Sequence, residues 1–159
     1  MNALTKTLAG VFLLLSPWVL VQVCILIAAP DEAIEEMPIC SDSSSNCAHL
    51  GGGEYYRMEV TTVVLEGQSL QETRTLALDY IEEQDGEILF EIDSENEYFV
   101  HFVEHTPFWF FPDDVFLLIT VEEDNSSRIE LHSESRLGYG DLGVNPERLE
   151  LFYEALASD

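Results

Sequence analysis

Residues that could do chemistry concentrate in two short stretches of this sequence. Ser133–Arg148 holds two arginines, an aspartate, a tyrosine and an asparagine among three glycines. The other stretch contains the paired aspartates Asp113 and Asp114. Carboxylates could bind a divalent cation through their oxygens, or act as acid and base if one pKa were raised. The candidate cluster comprises Asp113, Asp114, Ser135, Arg136, Tyr139, Asp141, Asn145 and Arg148.

An ion-pair network is the alternative to a catalytic or metal site built on Asp113, Asp114 and Asp141. Arg136 and Arg148 are two of only five arginines, so each is expected to have a specific partner. A bidentate arginine–carboxylate pair is the simplest such partnership. The network is the favoured interpretation, and no metal site or cofactor is predicted.

Cysteine, histidine and aromatic residues supply three weaker signals. Cys40 and Cys47 enclose a polar hexapeptide that could close a disulfide in an oxidising compartment, whereas two thiols alone make a poor zinc site. His101, His105 and His132 are expected to be solvent-facing strand residues. The aromatic run over residues 108–111 could pack at a sheet end, line an apolar pocket or rest on a membrane.

These stretches must be positioned by a small α+β domain. Alternating apolar residues predict strands over 56–64, 88–92, 98–102 and 128–132, and a continuous apolar run predicts another over 115–121. Ser69 and Glu72 form a capping box that begins a helix ending near Gln84. Asn145 is the predicted N-cap of a closing helix. The order predicts a mainly antiparallel sheet of about five strands with two helices on one face.

The N-terminus is predicted to be a membrane anchor. Leu8–Ala29 is 22 residues without a charge, about 33 Å of helix against a bilayer core of about 30 Å. A secretory signal peptide is the alternative, although its apolar region is normally shorter. Lys6 favours a cytoplasmic N-terminus and an extracytoplasmic domain. The predicted organisation is an anchor or uncleaved signal over 1–29, a linker with the cysteine loop over 30–53, and the domain over 54–159.

Charge limits the partners that this chain could have. The net charge is −25, with 31 acidic residues against six basic ones. Such a surface repels itself and is tolerable where concentrated salt screens it, which indicates a salt-loving host. An acidic docking surface for a cationic partner is the alternative. Nucleic acid is excluded as a partner, because no basic patch exists to neutralise phosphates.

Three motifs together resemble the uncharacterised family called domain of unknown function 1499. They are the Cys40–Cys47 loop, Phe111-Pro-Asp-Asp-Val115 and the Ser133–Arg148 stretch, and the similarity covers roughly residues 40–157. His132 departs from the family, which carries an arginine at this position. The resemblance implies a small, often membrane-associated domain and supplies no reaction.

We therefore expect a membrane-anchored, extracytoplasmic binding or scaffold module on the cell membrane, with an unknown protein or ligand partner. A metal-dependent or hydrolase-like enzyme using Asp113, Asp114 and Asp141 is one alternative. A carrier of lipid or of a small apolar ligand, built on the aromatic run, is the other. No catalytic motif such as a phosphate-binding loop or a nucleophile elbow is present in the sequence, so catalysis is the less favoured expectation.

Overall fold

The structure is a computed structural model that describes residues 3–158, with the backbone alone described at residues 3, 4, 6, 8–11 and 13–15. It contains three helices and seven strands. The helices are α1 (Ala3–Ala28), α2 (Leu70–Glu83) and α3 (Val144–Leu156). The strands are β1 (Cys47–Gly51), β2 (Glu54–Tyr56), β3 (Val64–Leu65), β4 (Glu87–Asp93), β5 (Glu97–His105), β6 (Pro112–Val121) and β7 (Ser127–Ser135).

The strands form a single antiparallel sheet, in the order β2-β1-β7-β6-β5-β4, with β3 pairing β7 beside β1. Alternate residues of β5, β6 and β7, such as Val100, Leu117 and Leu131, enter the core with α2 and α3. Tyr80 of α2 stacks on Phe152 of α3 with ring centroids 4.3 Å apart. Both helices therefore cover the same sheet face, which we call the helix side. The predicted α+β architecture is confirmed, with seven strands in place of about five.

Helix α2 follows its sequence signal closely. The Ser69 side chain accepts a hydrogen bond from the Glu72 amide, and the Glu72 carboxylate accepts one from the Ser69 amide. Two amides that have no partner inside the helix are thereby satisfied. The predicted capping box and the predicted helix are confirmed.

The strand predicted over residues 56–64 is wrong. β2 ends at Tyr56, Arg57 has a positive φ of 58°, and β3 begins only at Val64. Met58, Val60 and Val63 nevertheless pack against the core from irregular backbone. Apolar residues alternate here because one side of the segment is buried against the core, although the segment does not pair as a strand.

The linker predicted over residues 30–53 is also wrong in part, because it contains β1. All five residues of β1 are buried, between β2 on one side and β7 on the other. A strand covered on both faces shows no polar–apolar alternation. The two glycines that follow, Gly52 and Gly53, form the turn into β2.

Helix α1 is 26 residues long and contains Pro17. Within the described part of the chain, no helix combines the length and the apolar character needed to cross a membrane. The predicted anchor falls in part on side chains outside the described residues. So does the side chain of Lys6, on which the predicted orientation depends.

Candidate functional site

The two aspartates of the pair lie on opposite faces of the sheet. β6 begins at Pro112, so Asp113 and Asp114 are successive strand residues, and successive side chains in a strand point to opposite sides. Asp113 pairs across the strands with Glu104 of β5 and Ser135 of β7. It therefore faces the helix side, while Asp114 faces the other side.

On the helix side, Arg148 of α3 is the centre of a buried polar cluster. Its Nε donates to Glu104 Oε2 at 2.8 Å and its Nη2 donates to Asp113 Oδ2 at 2.7 Å. Its Nη1 donates to Ser133 Oγ at 3.1 Å and to Asn145 Oδ1 at 2.8 Å. We call these five residues the helix-side cluster. All five are buried.

The helix-side cluster has one cation for two carboxylates. Burial alone would lower the pKa of Arg148, but the charges of Asp113 and Glu104 and their hydrogen bonds outweigh it and raise that pKa. One oxygen of each carboxylate, Asp113 Oδ1 and Glu104 Oε1, is buried without a hydrogen-bond partner among the described residues. Arg148 therefore carries the whole electrostatic compensation of two buried acids.

On the opposite face, Asp114 is fully paired. Arg136 Nε and Nη2 donate to its two oxygens at 2.9 and 2.8 Å. His101 Nε2 lies 2.7 Å from Asp114 Oδ1, while His101 Nδ1 accepts from the Ile34 amide at 3.1 Å. With Nδ1 accepting, Nε2 carries the proton and donates to Asp114. We call Asp114, Arg136 and His101 the opposite-face cluster.

Several opposing effects set the pKa of Asp114. Burial raises it, but the hydrogen bonds from His101 and Arg136 and the charge of Arg136 outweigh burial and hold the pKa below its usual value. Arg136 also donates to Asp31 at 2.6 Å and to the Pro30 carbonyl at 3.1 Å. The opposite-face cluster thus fastens the segment of residues 30–40, which we call the N-terminal segment, onto the sheet.

Asp141 lies at the start of α3 and pairs with Arg57. Arg57 Nη1 and Nη2 donate to its two oxygens at 3.0 and 2.7 Å. The same oxygens accept from the amides of Gly143 and Asn145. Burial raises the pKa of Asp141, but these bonds outweigh it and lower the pKa.

The predicted N-cap, Asn145, is wrong. α3 begins at Val144, after Gly143 in the left-handed region at φ 92°, and Asp141 supplies the capping oxygens. Asn145 instead joins the last strand to the cysteine loop. Its Nδ2 donates to the Asn46 carbonyl at 2.8 Å and to Ser135 Oγ at 3.1 Å.

Three predicted site residues lie outside both clusters. Ser135 accepts a hydrogen bond from Asn145 and Asp141 pairs with Arg57, and the third is Tyr139. Its side chain is 99% exposed at the tip of the loop between β7 and α3. The remaining candidates are brought to one end of the sheet, in the separate arrangements described above.

This geometry decides what the three aspartates can do together. Asp113, Asp114 and Asp141 pair with Arg148, Arg136 and Arg57 respectively. Asp113 and Asp114 are separated by the sheet, so they cannot ligate one ion or act as an acid–base pair on one substrate. The arrangement is an ion-pair network, and the joint site suggested by their adjacency in sequence is wrong.

Two of the histidines predicted to face solvent are buried. His101 and His132 are both 0% exposed, whereas His105 is exposed. His101 stacks on Phe116 with ring centroids 4.3 Å apart. His132 lies beside the disulfide that joins Cys40 to Cys47, with its Nε2 at 3.5 Å from Cys47 Sγ.

Sequence reasoning missed Arg57, Glu104 and His49. Arg57 could have been found from the same scarcity of arginines that singled out Arg136 and Arg148. Glu104 could have been found from strand periodicity, because it continues the buried positions Val100 and Phe102. His49 carried no such signal, since it lies in the strand that was predicted as linker.

The fold and the cluster geometry define a class: a two-layer α+β domain whose buried polar residues pair with one another at one end of the sheet. The chain belongs to the family described as Protein of unknown function (DUF1499), which matches residues 32–156. The matched range includes the N-terminal segment from Glu32 and both clusters. No curated protein matches the chain.

Proposed function

We propose that this chain is a membrane-anchored, extracytoplasmic binding or scaffold domain that α1 and one aromatic loop hold on the bilayer. The loop joins β5 to β6 over residues 106–111, and we call it the aromatic loop. The observation that carries the proposal is the contact between this loop and α1.

Two hydrogen bonds hold the aromatic loop against α1. Trp18 Nε1 donates to the Phe108 carbonyl at 2.9 Å, and Gln22 Nε2 donates to the Trp109 carbonyl at 2.8 Å. The Trp18 and Phe110 rings also meet edge to face, with centroids 6.4 Å apart. These two polar side chains of α1 thus position the aromatic loop.

The resulting surface is apolar and exposed. Phe108 is 66% exposed and Phe110 51% exposed. The exposed apolar residues of the adjoining part of α1 are Val19, Leu20, Val23, Leu26 and Ile27. Exposed apolar side chains in such number favour contact with a partner or a membrane, and aromatic side chains are enriched at the membrane interface. The uncharged segment Leu8–Ala29 supports the membrane as that partner.

The closed ion pairs support a role without catalysis. Every carboxylate of the candidate cluster is paired with an arginine. Such pairs hold loops in place, which is the task of a scaffold or binding domain.

Depth-dependent quenching of Trp109 tests the proposal on the full chain reconstituted in liposomes. Trp18→Phe leaves Trp109 as the single tryptophan, and in this parent protein the Gln22 bond to the Trp109 carbonyl and an aromatic ring at position 18 still hold the loop. We expect brominated lipids to quench its emission and aqueous iodide to quench it weakly. Adding Phe108→Ser and Phe110→Ser should reverse this pattern, whereas Leu142→Ser, at another exposed loop, should leave it unchanged. Free access of iodide to Trp109 in the parent protein would contradict the proposal.

A lipid or small-ligand carrier is a second candidate, favoured by a groove between α1 and the aromatic loop. The groove has a volume of about 480 Å³ and is lined by residues including Trp18, Ile25 and Phe110. This volume is within the range of small-molecule sites. We expect lipid to co-purify with the protein and to be lost in Phe110→Ala but retained in Leu142→Ala. Protein free of lipid after mild extraction would remove this candidate.

We also propose that the acidic surface is an adaptation to concentrated salt. The net charge of −25 favours the unfolded chain through self-repulsion, which salt screens. We expect the free energy of unfolding to rise between about 0.1 and 1 M KCl, a range over which the Debye length falls from about 10 Å to about 3 Å. Equal stability at both concentrations would leave the acidic surface to be explained by a cationic partner.

A further inference from the structure

The buried disulfide has metal-binding side chains around it. Cys40 Sγ, Cys47 Sγ and a ring nitrogen of His132 all lie within 4.8 Å of one another, and all three residues are buried. Thiolate sulfur and imidazole nitrogen are the ligands that Zn²⁺ prefers. In the oxidised protein the sulfurs are bonded to each other and unavailable as thiolates.

The hydrogen bonds of His132 leave its Nε2 free to bind a metal ion. His132 Nδ1 lies 3.1 Å from His49 Nδ1, and His49 Nε2 lies 3.4 Å from Glu130 Oε1. If His49 donates to Glu130, its Nδ1 accepts from His132 Nδ1. The lone pair of His132 Nε2 then faces Cys47 Sγ at 3.5 Å. A carboxylate–histidine chain of this kind commonly orients a metal-ligating histidine from behind.

A fourth ligand is available on the same sheet face. Glu134 lies two residues from His132 along β7 and pairs across the strands with Cys47. Glu134 Oε2 is 3.9 Å from His132 Nε2, a spacing that small side-chain movements adapt to a tetrahedral site with bonds of about 2.0–2.3 Å. Two thiolates alone are too few ligands for a Zn²⁺ site, and His132 and Glu134 bring the number of candidate ligands to four.

We propose that Cys40, Cys47, His132 and Glu134 form a redox-gated Zn²⁺ site. A dithiol reductant gives two electrons and two protons to the Cys40–Cys47 bond, which breaks into two thiols while the reductant becomes a disulfide. Zn²⁺ then binds both thiolates, and their two protons pass to solvent. A disulfide oxidant reverses these steps: it accepts two electrons and takes two protons from solvent to become a dithiol, while the Cys40–Cys47 bond re-forms and Zn²⁺ is released.

The local structure allows this opening. Cys47 and His132 are fixed on the neighbouring strands β1 and β7. Cys40 precedes a loop of six residues that is mostly exposed and belongs to no helix or strand. Zn–S bonds are about 2.3 Å long, so two sulfurs that bind one tetrahedral Zn²⁺ lie about 4 Å apart. The two cysteine sulfurs must therefore separate to that distance. Movement at Cys40 accommodates this separation while the sheet stays intact.

Metal titration of the full chain tests the proposal, in a Cys24→Ser background that removes the remaining thiol. Zn²⁺ affinity is measured by competition with a chromophoric chelator, without oxygen, before and after phosphine reduction. We expect one Zn²⁺ per reduced chain, bound at least 100-fold more tightly than to the oxidised chain. Co²⁺ in place of Zn²⁺ should show thiolate charge-transfer absorption only after reduction.

Variants separate this site from unspecific binding to the acidic surface. His132→Ala should weaken Zn²⁺ binding by 100-fold or more, and Glu134→Gln by about 10-fold, while His105→Ala should have no effect. His132→Ala should still form its disulfide on oxidation, which shows that the fold is retained. Equal Zn²⁺ binding by oxidised and reduced protein, or an unaffected His132→Ala variant, would overturn the proposal. Retention of Cu⁺ but not of Zn²⁺ would overturn the choice of ion.

Discussion

The two faces of β6 balance a buried negative charge in opposite ways. On the helix side, Arg148 alone serves Glu104 and Asp113, and each carboxylate keeps one oxygen without a partner among the described residues. On the opposite face, Asp114 alone is served by both Arg136 and His101. The two carboxylates of the helix-side cluster therefore depend on the Arg148 side chain alone, whereas Asp114 in the opposite-face cluster keeps a hydrogen-bond donor if either Arg136 or His101 is lost. Adjacent residues of one strand thus have different sensitivities to substitution.

The largest expected effect is that of Arg148→Met. It leaves two buried carboxylates without a cation, and breaking a buried pair in this way costs about 3–5 kcal/mol. Denaturant unfolding in high salt measures the change. Arg128→Met is the matched control, because the Arg128–Glu122 pair is exposed and exposed pairs contribute about 0–1 kcal/mol. A loss below about 1 kcal/mol for Arg148→Met would show that the helix-side cluster has compensation that the contacts do not reveal.

A smaller global effect is expected for Arg136→Met. Asp114 keeps its hydrogen bond from His101, so we expect a loss of about 1–3 kcal/mol. The substitution also removes the bonds to Asp31 and the Pro30 carbonyl, so hydrogen exchange at the Ile34 amide should accelerate. Arg74→Met, which affects a pair with Asp93 elsewhere on the surface, should leave that amide protected. A loss equal to that of Arg148→Met would remove the distinction between the faces.

Acid should reduce the contribution of Asp114. Its pKa is lower in the folded protein than in the unfolded chain, where it is about 3.9. Its ionised form therefore stabilises the fold above that value, and the contribution is lost as pH falls through the lower, folded value. We expect the stability difference between the wild type and Asp114→Asn to be constant from pH 7 to about 5 and to shrink below about 4. Repulsion among the other acidic residues is common to the wild type and the variant, so it cancels in this difference. A difference that grows on acidification would reverse the assigned sign.

The smallest effect is expected at Asp141, which is close to the helix-side cluster in sequence but partnered by the half-exposed Arg57. Asp141→Ala removes the capping oxygens of α3, a loss of about 0.5–2 kcal/mol. Glu147→Ala, an exposed residue in the first turn of α3, is the control and should stay within about 0.5 kcal/mol. Thermal unfolding in high salt compares the two variants. Equal stability of the two would show that the Asp141 cap contributes little.

The sequence predicted the parts of the fold that carry a hydrophobic pattern, either alternating or, as in β6, continuous. Strands β4, β5 and β7 and helix α2 carry a period in their side chains, and their positions are confirmed within a few residues. Strand β1 is covered on both faces and has no period, so it was placed in a linker. Apolar side chains alternate in the segment after β2 although this segment does not pair as a strand, so the alternation predicts a strand that does not form.

The candidate site was predictable by residue type but not by arrangement. Scarce arginines and paired aspartates identified Arg136, Arg148, Asp113 and Asp114 correctly as participants. Their separation into two clusters follows from β6 beginning at Pro112, whereas the predicted strand began at residue 115 and left both aspartates in a loop. Strand periodicity places Glu104 on the buried face of β5, whereas the contact of Ile34 with His101 depends on tertiary packing, which no local spacing encodes.

The pairing of β1 with β7 has a consequence for how the chain acquires its structure. β4 to β7 form successive hairpins between near neighbours, and such local contacts form quickly. His49 and its partner His132 are 83 positions apart in the sequence. During synthesis β1 leaves the ribosome early and has β2 as a local partner, but its pairing with β7 must wait until nearly the whole domain has followed. The Cys40–Cys47 bond closes a loop of only seven residues in sequence separation, so its formation does not have to wait for β7, and an oxidised cysteine loop can precede the entry of β1 into the sheet.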